Sequence, residues 1–363
     1  MSSAINNNHT QRHLIMNRSN RTPKSTVDAL QQGPRKKPRT TDPLVHHGRH
    51  FGRTIHALCN VHALIEQGIG RMLRLSENPD EIFTLQERRE HEVFLALLRA
   101  VPGFEDRLMS CSDEEVNSMA GMLQKGASSA RSDNTKTLKS AIIDWLTPPG
   151  EALIPPIARN MKVDRGYHHE KTGSLLCPAG VDWSDPEIKQ KLRTGEFTVR
   201  GDQWPIFLWS GYKYDEDQPW RGLLQSDILV KSFKHIFTSP SSVEKEAKAT
   251  RSGNARLHGM TSVTPASVAY IATQARFALS SSPVFTRSDK VTDSKLFYNS
   301  ILDLLEDPDE CTEVDDLISW WNRQIFPNYA ASSRPVSKNS ALAKIKAKRA
   351  VEKRALGDQN LNT

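Results

Sequence analysis

The stretch "TLQERREHEVFLALLRAVPG", residues 84–103, reads as a helix with both ends marked. Thr84 followed by Glu87 is a capping box, in which the two side chains satisfy backbone N–H groups that a first helical turn leaves without partners. Phe94, Leu97, Leu98 and Val101 recur at spacings of three and four, one apolar helical face. Pro102–Gly103 stops it.

The same signals repeat on either side. Ser112 and Glu115 form a second box ahead of Val116, Met119 and Leu123. Asp133 is placed to cap a further helix carrying Leu138, Ile142, Trp145 and Leu146, ended by Pro148–Pro149. Upstream, Ile55, Leu58, His62, Ile65, Ile69 and Met72 mark a helix over Arg53–Leu75, broken at Asn78–Pro79–Asp80. His62 falls on that stripe and is expected as a satisfied core histidine. Four helices within about a hundred residues, joined by short connections, predict a helical bundle.

Farther along the chain, residues 148–183 are dominated by Pro, Gly, His and Lys and read as an irregular loop. Ser184–Glu187 opens a short helix, and Phe197–Trp209 is rich in strand-forming residues. A helix is expected over Trp220–Phe237, then a long polar loop over residues 238–263. Thr264–Pro265 is an N-cap and N1 pair for a small, apolar helix ending at Leu279. Two more helices cover Asp293–Leu305 and Glu313–Ile325. The expected fold is mainly α: a bundle-like body with a small irregular or β insertion and disordered basic termini. Its segments are a disordered tail (1–50), an N-terminal bundle (51–147), a loop-rich stretch with short strands (148–219), a C-terminal helical region (220–333) and a basic helix-prone tail (334–363), with the body beginning near Gly52.

Partitioning the charge explains the net +7 and pI near 9.2. Residues 1–53 carry ten Lys and Arg against two acids, residues 54–333 carry 31 against 38, and residues 334–354 carry eight against one. A mildly acidic body thus lies between two basic tails. Tails of this kind hold phosphates without sequence preference and release them as salt rises. Within the first tail, "PRKKPR" sets Arg35, Lys36, Lys37 and Arg39 among prolines, the composition of a nuclear-import label read by an import receptor. The N-terminus lacks the apolar core of a secretory signal, and the longest apolar runs, such as Pro205–Trp209, are too short for a membrane span. Cys59, Cys111, Cys177 and Cys311 lie far apart, which suits a reducing compartment better than a disulfide framework.

Several groupings suggest chemistry. His168 and Glu170 form an H-x-E close to Cys177–Pro178, but the P-C-x-x-C that completes a zinc deaminase site is missing. A looser metal set of His168 and Glu170 with His235 or His258 has no spacing that demands it, so no metal and no cofactor is expected. "HHGRH" at residues 46–50 suits a flexible, solvated run. In residues 238–260, Arg251, Asn254, Arg256 and His258 gather near Ser252–Gly253, a grouping able to hold an anion or meet a partner. A hydrogen-bonded structural loop is the simpler reading. Trp204, Trp209, Tyr212, Tyr214 and Trp220 crowd a short span and are expected chiefly to fill core. Of Trp320 and Trp321, one is expected buried and one at an edge. The common fingerprints G-x-S-x-G, H-E-x-x-H and G-x-G-x-x-G do not occur.

The segments "GRTIHALCNVHALI" (52–65), "KGASSARSDNTKTLKSAIIDWLTPPG" (125–150), "DRGYHHEKTGSLLCPAG" (164–180), "GDQWPIFLW" (201–209), "KHIFTSPSSVEKEAKATRSGNARLHGMTSVTPASVAYIATQARFALSSSPVF" (234–285) and "WWNRQIFP" (320–327) resemble an uncharacterised domain family expanded in mushroom-forming basidiomycete fungi. The likeness spans roughly residues 50–345 and implies no activity, cofactor or catalytic residue. Some many-copy fungal families are suspected of links to mobile elements, and by that analogy the resemblance favours a nuclear, nucleic-acid-associated role. The sequence therefore points to a nuclear protein acting by binding, with no catalytic residues assigned. Its body would meet a protein partner, and its tails would meet an import receptor and, weakly, nucleic acid. The alternative is a mobile-element-associated enzyme or factor acting on nucleic acid through residues 251–258.

Overall fold

The box at Ser112 and Glu115 opens a helix of 34 residues, α5 (Asp113–Leu146), which contributes to both apolar clusters of the fold. The computed structural model describes residues 43–243, 253–285, 293–326 and 348–349. Ahead of α5 come α1 (Pro43–Thr54), α2 (Val61–Glu77), α3 (Leu85–Ala100) and α4 (Phe104–Ser110). After it come α6 (Glu170–Leu176), α7 (Pro186–Thr194), α8 (Asp227–Phe233), α9 (Asn254–Leu257), α10 (Pro265–Leu279), α11 (Ser294–Leu305) and α12 (Cys311–Ile325). The described residues form no strand and are mainly helical.

The apolar faces fill two clusters that share α5. Its first half contributes Met119 and Leu123 to a cluster with Phe51, Ile65, Phe94, Leu97 and Phe104. Its second half contributes Leu138, Ile142 and Leu146 to a larger cluster built around α10. Every residue of α10 from Ala266 to Leu279 is buried, so this helix occupies the centre of the larger cluster. Its N-terminus carries a capping box of Thr264 and Ser267. Its C-terminal carbonyls are met by two buried cations instead of carboxylate-paired ones. Arg165, fully buried, donates to Ala278 O and Lys139 O at 2.8 Å and to Ala158 O and Arg159 O at 3.1 Å. Lys162 donates to Phe277 O and, at 2.7 Å, to Ser282 O. Cations suit a helix C-terminus, where unpaired carbonyls and the negative end of the dipole coincide.

Several boundaries differ from those expected. The N-terminal helix begins at Pro43, inside the tail expected to be disordered, and "HHGRH" is helical. Proline suits N1 of a helix, and Leu44, Val45 and Phe51 supply a face to bury. A Cβ on Gly48 would stand 2.2 Å from Leu123 O, and one on Gly126 2.2 Å from Val45 O. α1 and α5 therefore pack backbone to backbone through a seam of small residues. The helix expected over Arg53–Leu75 is divided: α1 ends at Thr54, and Asn60 caps α2 by accepting from His62 N–H. His62 itself is exposed, not a core histidine. Asp133 caps nothing; it sits inside α5 and accepts from Arg49 Nη2 at 2.6 Å.

Over Phe197–Trp209 the expected strands are replaced by short 3-10 turns at Ile206–Leu208 and Ser210–Tyr212, with single bridges Pro178–Pro205 and Trp209–Leu223. Prolines at the bridging positions lack the N–H that a continued ladder needs. The helix expected over Trp220–Phe237 starts only at Asp227, because Gly222 and Leu224 take left-handed conformations (φ 75° and 56°). It runs into a π-helical turn, Lys234–Thr238. No helix of the described residues is long and apolar enough to cross a membrane. All four cysteines are free.

Candidate functional site

The residues singled out near Gly253 fall into separate environments. Arg251, like the import-label residues Arg35, Lys36, Lys37 and Arg39, lies outside the described residues. Asn254 opens α9 and donates through Nδ2 to Ile236 O, at the end of the preceding helix. Arg256 is exposed on the opposite part of that turn. His258 folds back onto α1, between His46 and His50, with ring centroids 4.1 and 4.5 Å away and planes within 23° and 10° of parallel. The residues are thus spent differently: one as an anchor, one in solvent, one in a stack.

The stack joins the "HHGRH" run to the far end of the chain, an association no local pattern announces. Burial draws the His258 pKa down to about 3 and that of His50 to about 4; the neighbouring imidazoles and Arg53 push the same way. His46 is lowered as well, by burial first and then by His47, Arg49 and Arg53. Arg53, 2% exposed, reaches Asn134 Oδ1 through Nη2 at 3.3 Å, while its Nε and Nη1 have no partner. Three parallel neutral rings present faces to one another, not lone pairs to a common point. No group of three or more His, Cys, Asp or Glu among the described residues has metal-holding geometry.

At the H-x-E, Glu170 accepts from Trp183 Nε1 and from Lys189 Nζ, each at 2.8 Å, and these bonds hold its pKa below the usual carboxylate range, the lysine contributing most. His168 is exposed, whereas His169 is buried and caps α6, its Nδ1 accepting from Lys171 N–H at 3.0 Å. His235 stands against Trp145 in an edge arrangement with centroids 5.6 Å apart. Cys177 is buried, and its thiol pKa is pushed up to about 11 by burial first and Asp182 second, the opposite of an activated nucleophile.

The aromatic span packs on the larger cluster as expected, with Trp209 within it and Trp204, Tyr212, Tyr214 and Trp220 partly buried against it. Phe207, Leu208 and Trp209 are buried, but Trp204, Tyr214 and Trp220 are only half-buried, around an open cavity of about 520 Å³. Trp209 also lines it, 6.4 Å from Trp204 and 5.0 Å from Tyr214 between ring centroids. Every indole N–H at the cavity is already used. Trp204 donates to Ser300 Oγ at 2.9 Å, Trp209 to Pro219 O at 2.9 Å and Trp220 to Glu310 Oε2 at 2.7 Å. These bonds tether the three rings to α11, to Pro219 and to the turn ahead of α12. Of Trp320 and Trp321, the second is fully buried and the first partly exposed, as the helical spacing indicates.

An all-α domain with a buried central helix and an aromatic-lined cavity on its loop-rich flank is the class these features define. Residues 125–326 match the model of a family described as a family of unknown function, DUF6698, and with more than half of its length matched the chain belongs to that family. The matched span holds α10, α9 and the aromatic cavity; α1, with His46 and His50, lies before it. No curated protein and no solved structure matches the chain.

Proposed function

We propose that this protein is a nuclear binding protein acting without catalysis. In this reading the first basic tail is carried by an import receptor, both tails touch nucleic acid weakly through phosphates, and the body meets a partner protein. The observation that carries the reading is the division of charge: ten basic residues against two acids in residues 1–53, with 38 acids against 31 basic residues in 54–333. Positive charge gathered in tails and withheld from the body favours a salt-sensitive grip there and a different ligand for the folded part.

Side-chain engagements within the body support the same view. Glu170, Asn254 and His258, the groups best suited to acid–base or anion chemistry, are taken up by Trp183 and Lys189, by Ile236 O, and by the imidazole stack. The half-buried aromatic cavity is one feature of the body open to a partner.

Import tests the first step. A fluorescent reporter fused to residues 1–53 is expected to accumulate in nuclei. Replacing Arg35, Lys36, Lys37 and Arg39 together with Ala should return it to an even distribution. A wild-type fusion that stays cytoplasmic would remove the import reading.

A further inference from the structure

Deepening this reading, on which it rests, we propose that the aromatic cavity of the body binds a methylated lysine side chain presented by a partner peptide. Trp204, Trp209, Tyr214 and Trp220 line the cavity, and the partly negative faces of such rings attract a cation within about 6 Å of their centroids. Charge at the site has one sign. Asp202 and Glu310 are among the lining residues and no Lys or Arg is. Glu216 stands at the rim, its Oε1 3.4 Å from where a Cβ on Gly180 would lie, with Tyr214 beside it. Arg200 takes up Asp202, at 3.0 Å, whereas the side-chain partner of Glu310 is a neutral donor, the Trp220 indole.

The state of the indoles decides which cation fits. An unmodified ammonium carries three donors that must each find an acceptor once water is removed. Here the three indole N–H groups are donors themselves, turned to other partners, and the carboxylates and amide oxygen of the lining each already accept one bond, Glu310 from Trp220 and Asp202 and Gln203 from Arg200. A trimethylated ammonium asks for no hydrogen bond. It keeps its charge for the rings and Glu310, and it lays its methyl groups against Pro178, Val181, Leu223 and Leu304. An anionic ligand would find no positive charge among the lining side chains. The volume, about 520 Å³, falls within the range of small-ligand pockets and admits a side chain rather than a whole helix.

The test uses the full-length protein and a short peptide of otherwise neutral residues. Its central lysine is unmodified, trimethylated, or replaced by the neutral isostere in which carbon substitutes for the ammonium nitrogen. Binding is followed by tryptophan fluorescence and calorimetry. The trimethylated peptide is expected to bind at least tenfold more tightly than either of the others. Glu310→Gln, which keeps the Trp220 contact, should weaken it severalfold, and Trp204→Ala tenfold or more, with near-UV circular dichroism confirming that each variant is folded. Equal binding of the neutral isostere would overturn the proposal, showing a merely apolar pocket. Equal binding of the unmodified peptide would overturn it while leaving the body as a peptide-binding surface. Failure of all three peptides to bind would remove both the proposal and the cavity as the partner surface. Free choline binding as tightly as the trimethylated peptide would overturn the assignment to a peptide.

Discussion

His258 lies between His46 and His50, and a proton on any of the three rings would set like charge against its neighbours and against Arg49, Arg53 and His47. Burial first, and then these like charges, hold all three folded-state pKa values below the ordinary imidazole value of 6.5, at about 3 for His258 and about 4 for His50. His56, whose Nδ1 accepts from Leu58 and Cys59 N–H, is drawn to about 4 by burial. The sign follows from linkage. Above pH 6.5 neither state carries these protons and stability does not depend on them. Below it the unfolded chain takes up protons that the folded chain refuses, so stability falls as pH falls. Between pH 7 and 5, above the carboxylate range, urea denaturation should show a loss approaching about 2 kcal/mol for each histidine held neutral, since one proton per pH unit is worth about 1.4 kcal/mol, and less where solvent screens the ring. His258→Phe, which keeps an aromatic ring in the stack, should lower the slope by up to one proton. A flat profile over that range, or an unchanged slope in the variant, would mean that the rings are not held neutral.

Among the elements, those whose signals are local are legible in the sequence. The boxes at Thr84 and Ser112 and the N-cap at Thr264 with Pro265 behind it all form, since each needs only a side chain and nearby backbone. What escapes a reading of the sequence depends on partners far along the chain. The continuity of α5 through Asp133 is set by Arg49 and by the close passage of α1, and the start of α1 by the seam at Gly48 and Gly126. The histidine stack joins positions more than 200 residues apart, and the cavity exists only because Trp204, Trp209, Tyr214 and Trp220 stop short of closing on one another. The seam makes a prediction opposite to intrinsic propensity. Gly126→Ala gains up to about 1 kcal/mol of helix propensity in isolation. Its new Cβ would nonetheless meet backbone at Val45, and overpacking of that kind costs roughly 1–3 kcal/mol, so the variant should unfold at lower denaturant. A variant more stable than wild type would show that α1 and α5 do not approach so closely.

For the whole molecule, the excess of positive charge and the helical body occupy different segments. A member of a family of unknown function, the protein combines a mainly helical body with sequence-distinct basic ends. Its fold class follows from caps and periodicity, whereas its candidate cavity does not, because aromatic residues in a short run are written the same way whether they pack or leave a space. The most direct measurement is a fluorescence-anisotropy titration of labelled duplex DNA with the full chain and with a variant in which Arg12, Arg18, Arg21, Lys24, Arg35, Lys36, Lys37, Arg39, Arg334, Lys338, Lys344, Lys346, Lys348, Arg349, Lys353 and Arg354 are replaced by Gln. If the tails alone hold phosphates, the full chain binds at about 50 mM salt, loses on the order of a thousandfold in affinity by about 200 mM, and the variant does not bind. Retained binding by the variant with a shallow salt slope would contradict this division and place a nucleic-acid site on the acidic body.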